Sequence, residues 1–501
     1  MNNDQHKGGG GGKKPKVVIV FPRTAGDTAN SGIFPLPALA VAAPLHHDGY
    51  EVVIMDERHH RDFQSALLDA CDGALCVGVS TITGYQLKGA IRYTRLVRRH
   101  YPGCTVVWGG YHPSLFPDQV IEEGYADAVV RGQGELSFHE LVGRLAAGTD
   151  LKGVAGVTYR DLGGTIVTNP PRPFHELDDL PPVPYELVDI ERLFDITGKR
   201  SIQYMSSQGC AFHCAFCVEV SVYGGWKAKS AARVVDEIAA LKDLCQMDHL
   251  SFSDANFFLN PKRVREICEL LIERDLGITW SCTARADQVS RMGPEFAAKL
   301  RRSGCVKIGI GIESGSERIL KLIDKRISPE DAYTANRLLG EVGIQGDYAF
   351  MTGFPKEIPE SRDEVWQTLM LIKKIRRENP EVITHVFYFT PYPGTQMAEI
   401  TSKLGLEMPT TTEQWSDWDS DDAKTDWLTP KEKRLVEGCV RMVFPMSFPT
   451  RKLKARMSRP LGMLTLLPLH KLSQLRSRSD RYGFPVEWGL AKGLKRLSGS
   501  G

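Results

Sequence analysis

Twice along the chain, short runs rich in Val, Ile and Ala alternate with stretches of helical periodicity, and this alternation restricts the fold more than any other feature. The first series places apolar runs at Lys16–Phe21, Glu51–Met55, Ala74–Val79, Thr105–Trp108 and Ala128–Val130, with helix-like segments such as Gln86–Arg99 and Leu136–Leu145 between them. Continuous apolar runs mark strands buried on both faces, which requires a parallel, doubly wound sheet covered by helices. Ligands of such sheets sit beyond the carboxyl ends of the strands. Here those ends read Phe21-Pro22-Arg23-Thr24, Ser80-Thr81-Ile82-Thr83-Gly84, Gly109-Gly110-Tyr111-His112-Pro113 and Arg131-Gly132-Gln133-Gly134-Glu135, each joining small residues to hydrogen-bonding groups.

Residues 153–168 read as a hairpin around Gly163-Gly164, and Leu177–Pro184 as an extended proline-rich connection, so a domain boundary is expected near 197. The second series then begins, with strand-like runs at Ile202–Met205, Leu250–Phe252, Ile278–Cys282, Val306–Ile312, Gly346–Phe350 and Ile383–Thr390. Helix-like segments separate them: Ala232–Leu244, Pro261–Arg274, Pro294–Ser303, Pro329–Val342 and Asp363–Arg377. Ser230, Asn260 and Ser328 supply N-caps. Six βα-like units suggest an incomplete parallel barrel with its active face at the strand carboxyl ends. The expected organisation is a flexible glycine-rich lead at 1–15, a sheet domain at 16–148, a hairpin and linker at 149–197, a barrel at 198–400 and a mainly helical, basic region at 401–501.

The 501 residues, 42% of them hydrophobic and 25% charged, exclude collagen-like, wholly disordered and mini-protein architectures. No apolar run approaches the roughly 20 residues that cross a bilayer, and the start lacks a signal-peptide stretch, so a cytoplasmic location is expected. The net charge of +2 conceals an asymmetry, because residues 451–501 hold twelve Lys and Arg against two acids. That basic tail, with Arg451, Lys452, Lys454, Arg456 and Arg459 ahead of the apolar stretch Leu461–Leu469, suits either reversible attachment to an anionic membrane surface or a charged helical cap closing the barrel. Trp415, Trp418 and Trp427 suit either a pocket for a flat or greasy substrate or plain packing.

Eleven cysteines are too sparse for a disulfide scaffold. Eight of them, Cys71, Cys76, Cys104, Cys245, Cys268, Cys282, Cys305 and Cys439, lie in apolar-periodic segments and read as small core residues. The other three form Cys210-Ala-Phe-His-Cys214-Ala-Phe-Cys217, just after the first strand of the second series. Thiolates suit zinc or an iron–sulfur cluster. A structural zinc needs a fourth ligand, for which only His213 lies close, whereas a four-iron cluster on three thiolates keeps one iron open; the spacing favours the cluster.

This spacing, with an aromatic residue before the third cysteine, resembles the signature of the radical S-adenosylmethionine (SAM) enzymes. The resemblance implies that Cys210, Cys214 and Cys217 ligate a [4Fe-4S] cluster and that SAM binds the open iron and is cleaved on one-electron reduction to methionine and a 5′-deoxyadenosyl radical. It also implies that Phe216 lines the adenine site. Further likeness lies in Phe252-Ser253-Asp254-Ala255-Asn256-Phe257, Gly311-Ile312-Glu313-Ser314-Gly315-Ser316 and Thr390-Pro391-Tyr392-Pro393-Gly394-Thr395, which implies that Asp254, Glu313 and Ser316 hold the methionyl or ribose groups. Arg285, in Thr283-Ala284-Arg285-Ala286-Asp287, is a candidate for the SAM carboxylate, beside the plainer reading of a structural salt bridge.

A doubly wound domain ahead of such a barrel resembles the cobalamin-binding domain of the cobalamin-dependent subfamily. By that likeness Ser80, Thr81, Thr83, Gly109, Gly110, His112, Gly132 and Glu135 are cobalamin contacts. No G-x-G-x-x-G follows the first strand, which disfavours a dinucleotide. The D-x-H-x-x-G pattern of many cobalamin carriers is also missing, since the chain reads Asp56-Glu57-Arg58-His59-His60-Arg61. Cobalt without a protein histidine is therefore expected, with His59 and His60 as surface loop residues and His112 as the one reserve ligand. The resemblance implies a methyltransferase acting on an unactivated carbon of a small, planar or hydrophobic molecule, served by a one-electron reductant such as flavodoxin or ferredoxin and with no nucleic acid partner. An oxidative cyclase of the magnesium-protoporphyrin ester type and a non-catalytic cobalamin-binding regulator are the rival readings.

Overall fold

Parallel β-strands with helical crossovers organise both halves of the chain, in a computed structural model that describes residues 14–27, 33–60, 62–418 and 425–482. The expected glycine-rich lead, Arg61, Asp419 and the tail beyond Tyr482 lie outside these residues. The chain divides into two units, one of residues 1–198 with 409–417 and the other of residues 199–408 with 418–501.

The first unit is built on seven strands: β1 (Lys16–Phe21), β2 (Glu51–Asp56), β3 (Ala74–Ser80), β4 (Thr105–Gly109), β5 (Ala128–Val130), β6 (Val157–Arg160) and β7 (Ile166–Thr168). Their order is β2-β1-β3-β4-β5-β6-β7. The first five are parallel, and the hairpin β6–β7 continues the sheet antiparallel. Strand β1, inside the edge strand β2, is buried on both faces, Val17, Val18, Ile19 and Val20 being almost wholly enclosed, which is why its sequence shows no alternation. The order reverses between β1 and β3, and that switch point opens a crevice at the carboxyl ends. Pro409–Asp417 folds onto this unit: Glu413 accepts hydrogen bonds from Arg95 and Tyr125, the Thr412 amide donates to Glu123, and Trp415 stacks on Phe116 at 5.4 Å. Trp415 is therefore packing.

The second unit carries the short antiparallel pair β9 (Ser207–Gly209) and β10 (Trp226–Ala228), and a six-stranded parallel sheet of β8 (Ser201–Tyr204), β11 (His249–Phe252), β12 (Thr279–Arg285), β13 (Cys305–Glu313), β14 (Gln345–Thr352) and β15 (Ile383–Tyr388). The six strands neighbour one another in chain order, as in an open (β/α)6 barrel. Asn260 caps helix Pro261–Arg274 through the Arg263 amide, and Ser328 forms a capping box with Asp331 on helix Pro329–Val342. Ser230 occupies its N-cap position without a side-chain cap bond. Trp418 is buried and donates its indole N–H to the Pro391 carbonyl, so it packs, while Trp427 is half-buried and stacks on Phe389 at 5.6 Å.

The described residues after the sheet are mainly helical, and helix Pro460–Ser479 runs through Pro468 without ending there. Leu461, Met463 and Leu464 on this helix are exposed, so they do not close the barrel. No helix among the described residues is long and apolar enough to cross a membrane.

Candidate functional site

In the first unit the loops after β3, β4 and β5 are tied into one surface. The Thr81 amide donates to the Gly109 carbonyl, the Thr83 hydroxyl meets His112 Nδ1 at 3.1 Å, and the Gly132 amide donates to Ser114 Oγ, which itself donates to the Gly110 carbonyl. Gly110 is required here: its φ is +105°, and a Cβ would stand 2.3 Å from the Thr81 carbonyl oxygen. Thr81 and Glu135 are buried, whereas Ile82 is 41% exposed at the carboxyl end of β3 and offers an apolar face there. His112 is fully enclosed, with Phe116 and Trp415 against its ring, and Nε2 has no hydrogen-bond partner. Burial alone lowers its pKa to about 3, which keeps the ring neutral.

The Asp56 to Arg61 stretch departs from expectation at His59. Arg58 and Asp56 form a buried bidentate pair, with the Arg58 guanidinium over the Phe21 ring. His59 Nδ1 approaches Asp56 at 3.4 Å, and its side chain is only 13% exposed, so it is a partner of this buried pair and not a surface residue. His60 is exposed.

In the second unit the cysteine segment follows β9. Cys210, Cys214 and Cys217 are half-buried free thiols. The Ala215 amide donates to the Ile323 carbonyl, the Met397 amide donates to the Ala215 carbonyl, and Ser221 Oγ donates to the Gly394 carbonyl. Loops after β13 and β15 thus clamp the segment in place. Among the described residues no three Cys, His, Asp or Glu side chains converge as a single metal ion requires. A four-iron cube binds its thiolates at separate corners, and three cysteines on one clamped loop supply the thiolate set that such a cluster takes. Burial raises the Cys210 thiol and pushes Cys217 up to about 11, so ligation by iron must displace both protons.

The remaining site residues occupy strand carboxyl ends. Asp254, buried after β11, accepts from the Ser206 amide and from the Ser206 and Ser207 hydroxyls, bracing the bend between β8 and β9 that leads to Cys210. Arg285 and Glu313 are the last residues of β12 and β13. Glu313 has φ +66° and pairs with Lys325 Nζ at 2.7 Å, and Nζ lies 5.8 Å from the centre of the Phe216 ring. Ser316 Oγ and Asn256 Nδ2 are buried polar atoms without partners, one after β13 and the other after β11. Such orphans at strand carboxyl ends are what an amide- and carboxylate-bearing ligand would satisfy. Arg285 donates Nε to Asp287, Nη2 to the Lys325 carbonyl and Nη1 to Cys214 Sγ at 3.7 Å, with its guanidinium 3.8 Å above the Phe212 ring.

Sequence reasoning missed Lys325 and Glu364. Lys325 lies between Asp324 and Arg326, so in sequence it reads as one charge in a solvated run, yet it is 7% exposed. Glu364 is buried at the start of the helix after β14, where the Gly353 amide and the Thr352 hydroxyl donate to its carboxylate. Burial nevertheless raises its pKa to about 7.

The profile of the radical SAM superfamily matches residues 204–369, and that of the B12 binding domain matches residues 22–142. An uncharacterized methyltransferase of Pyrococcus horikoshii is 32% identical over 337 residues, covering 66% of this chain and 71% of the relative. The chain belongs to the cobalamin-dependent radical SAM enzymes, which use a [4Fe-4S] cluster, SAM and cobalamin. The anaerobic magnesium-protoporphyrin IX monomethyl ester cyclase of Rubrivivax gelatinosus is 28% identical, covering 64% of this chain and 57% of the relative. In fold, the cobalamin-dependent SAM radical enzyme OxsB aligns with a TM-score of 0.70 at 18% identity, over 97% of this chain and 75% of its own.

Proposed function

We propose that this protein transfers a methyl group to an unactivated carbon of a small biosynthetic intermediate. The observation that carries the reading is the presence in one chain of a clamped cysteine triad at the carboxyl end of a parallel sheet and, in the other unit, a glycine-bearing carboxyl face with an exposed apolar residue. The likeness to a methyltransferase at 32% identity supports it. When bound, the cluster with SAM supplies hydrogen-atom abstraction, and cobalamin supplies the methyl group. Cys210, Cys214 and Cys217 hold the cluster. Phe216, Glu313 and Ser316 face SAM, and Asp254 fixes Ser206 and Ser207 beside it. Ser80, Thr81, Thr83, Gly109, Gly110, Gly132 and Glu135 shape the cobalamin face. His112, enclosed by Phe116 and Trp415, would serve that face as a neutral packed ring and not as a ligand.

Incubation of the anaerobically reconstituted protein with methyl-labelled SAM and extract from its source organism tests the reading. Label is expected first on cobalamin and then in a small-molecule product. The cyclase relative favours a second reading, in which a ring forms and no label is retained; that outcome would overturn methylation. A flavodoxin or ferredoxin in the cytoplasm is the proposed electron donor. The exposed Leu461, Met463 and Leu464, next to the basic helix Arg451–Met457, support reversible contact with an anionic membrane surface. Flotation with anionic vesicles that is lost at high salt is the expected result, and equal recovery with neutral vesicles would refute it.

A further inference from the structure

We infer that Arg285 is a positioning residue for the cluster, holding a cation and an N–H donor against the Cys214 sulfur and thereby raising the reduction potential, and that it does not bind the SAM carboxylate. The inference rests on the cluster reading of the cysteine triad.

Every nitrogen of the guanidinium is engaged within the protein. Nε donates to Asp287 at 3.1 Å, Nη2 to the Lys325 carbonyl, and Nη1 to Cys214 Sγ at 3.7 Å. One face of the group lies on the Phe212 ring, itself part of the cysteine segment. The side chain is 6% exposed. These bonds use three of the five guanidinium N–H groups, one on each nitrogen, so a carboxylate seeking a bidentate partner would compete with contacts the protein already makes.

The surroundings are arranged to keep it there. Lys325, whose carbonyl accepts from Arg285, precedes Arg326, which has φ +54°. Glu313 and Arg326 are the two non-glycine residues of positive φ, among the described residues, that stand away from helix ends. Left-handed backbone at such residues is strained and persists only where the surroundings impose it. Both lie beside the cysteine segment, Glu313 through its pair with Lys325 and Arg326 one residue after the Arg285 acceptor.

A fixed positive charge and an N–H···S bond both favour the more negative, reduced cluster, and so make reduction easier.

Redox titration of the reconstituted protein, followed by the electron paramagnetic resonance signal of the reduced cluster, tests this with Arg285→Gln and Arg285→Lys. Arg285→Gln is expected to lower the reduced-to-oxidised ratio at a fixed potential about tenfold, equivalent to about 59 mV for a one-electron couple, with SAM affinity changed less than twofold. Arg285→Lys, which keeps the charge, is expected to recover part of the shift. An unchanged potential with a tenfold loss of SAM affinity would overturn the inference. Pulsed resonance on wild-type protein grown with guanidino-15N-arginine needs no variant: a weak nitrogen coupling to the reduced cluster is expected, and its absence refutes the contact. A wild-type protein that takes up no four-iron cluster would instead sink the reading on which the inference rests.

Discussion

The two units solve the same problem, presenting a ligand at the carboxyl ends of parallel strands, with different chemistry. The first uses backbone and neutral side chains: Gly110 pressed against Thr81, hydroxyls of Thr83 and Ser114, and a neutral His112. The second uses charge: Arg285, Asp287, Glu313 and Lys325 in buried pairs beside three thiols. A bulky ligand rich in amides is matched by close-approaching backbone and small donors, whereas an anionic cluster with an amino-acid ligand needs fixed ions at hand. Shape dominates one site and electrostatics the other.

Separate loss of the two ligands would sharpen the contrast most. Cys210→Ala, Cys214→Ala or Cys217→Ala is expected to abolish the cluster and all SAM cleavage while leaving cobalamin uptake intact, and Cys245→Ala to leave both unchanged. Iron analysis and the visible spectrum of cobalamin check this, and four irons per chain in Cys214→Ala would break it. Gly110→Ala is expected to do the reverse. Its Cβ meets the Thr81 carbonyl in a left-handed backbone, at a cost of about 3 kcal/mol to the first unit. Cobalamin retained at the wild-type level would show that the close approach is dispensable.

A smaller effect distinguishes the units by pH. His112 has its pKa lowered by burial from 6.5 to about 3, so the unfolded chain takes up a proton that the folded chain refuses. Its contribution to stability is complete above pH 6.5 and is lost as pH falls toward 3. Glu364 is the opposite case, raised by burial from 4.5 to about 7, so its contribution is complete below pH 4.5 and is lost as pH rises through 7. Hydrogen-exchange protection is therefore expected to fall around His112 in acid and around Gly353 in mild alkali, with Glu364→Gln removing the second loss. Parallel pH profiles in both regions would break the comparison.

Strands and crossover helices were legible because parallel strands buried on both faces announce themselves as unbroken apolar runs, and Asn260 and Ser328 announce their helices. The triad was legible because all three ligands fall within eight residues of one loop. Lys325 and Glu364 were not, because their partners Glu313 and Gly353 lie eleven or twelve residues away at strand ends, and His59 was not, because its close neighbour Asp56 is itself enclosed by a pair with Arg58. Helix Pro460–Ser479 continues through Pro468, a residue that helix interiors disfavour. The fold-back of Trp415 onto Phe116 and His112 left no trace in sequence, since it joins elements about 300 residues apart.

That fold-back sets the timing of synthesis. The first unit holds residues up to Gly198 and then Pro409–Asp417, so its last piece emerges from the ribosome only after about 210 further residues. At roughly 5–20 residues per second the delay is on the order of 10–40 s. Throughout it the nascent sheet domain presents Phe116 and the His112 ring without their Trp415 cover, an apolar patch beside a half-finished chain where a holding chaperone would have most to protect.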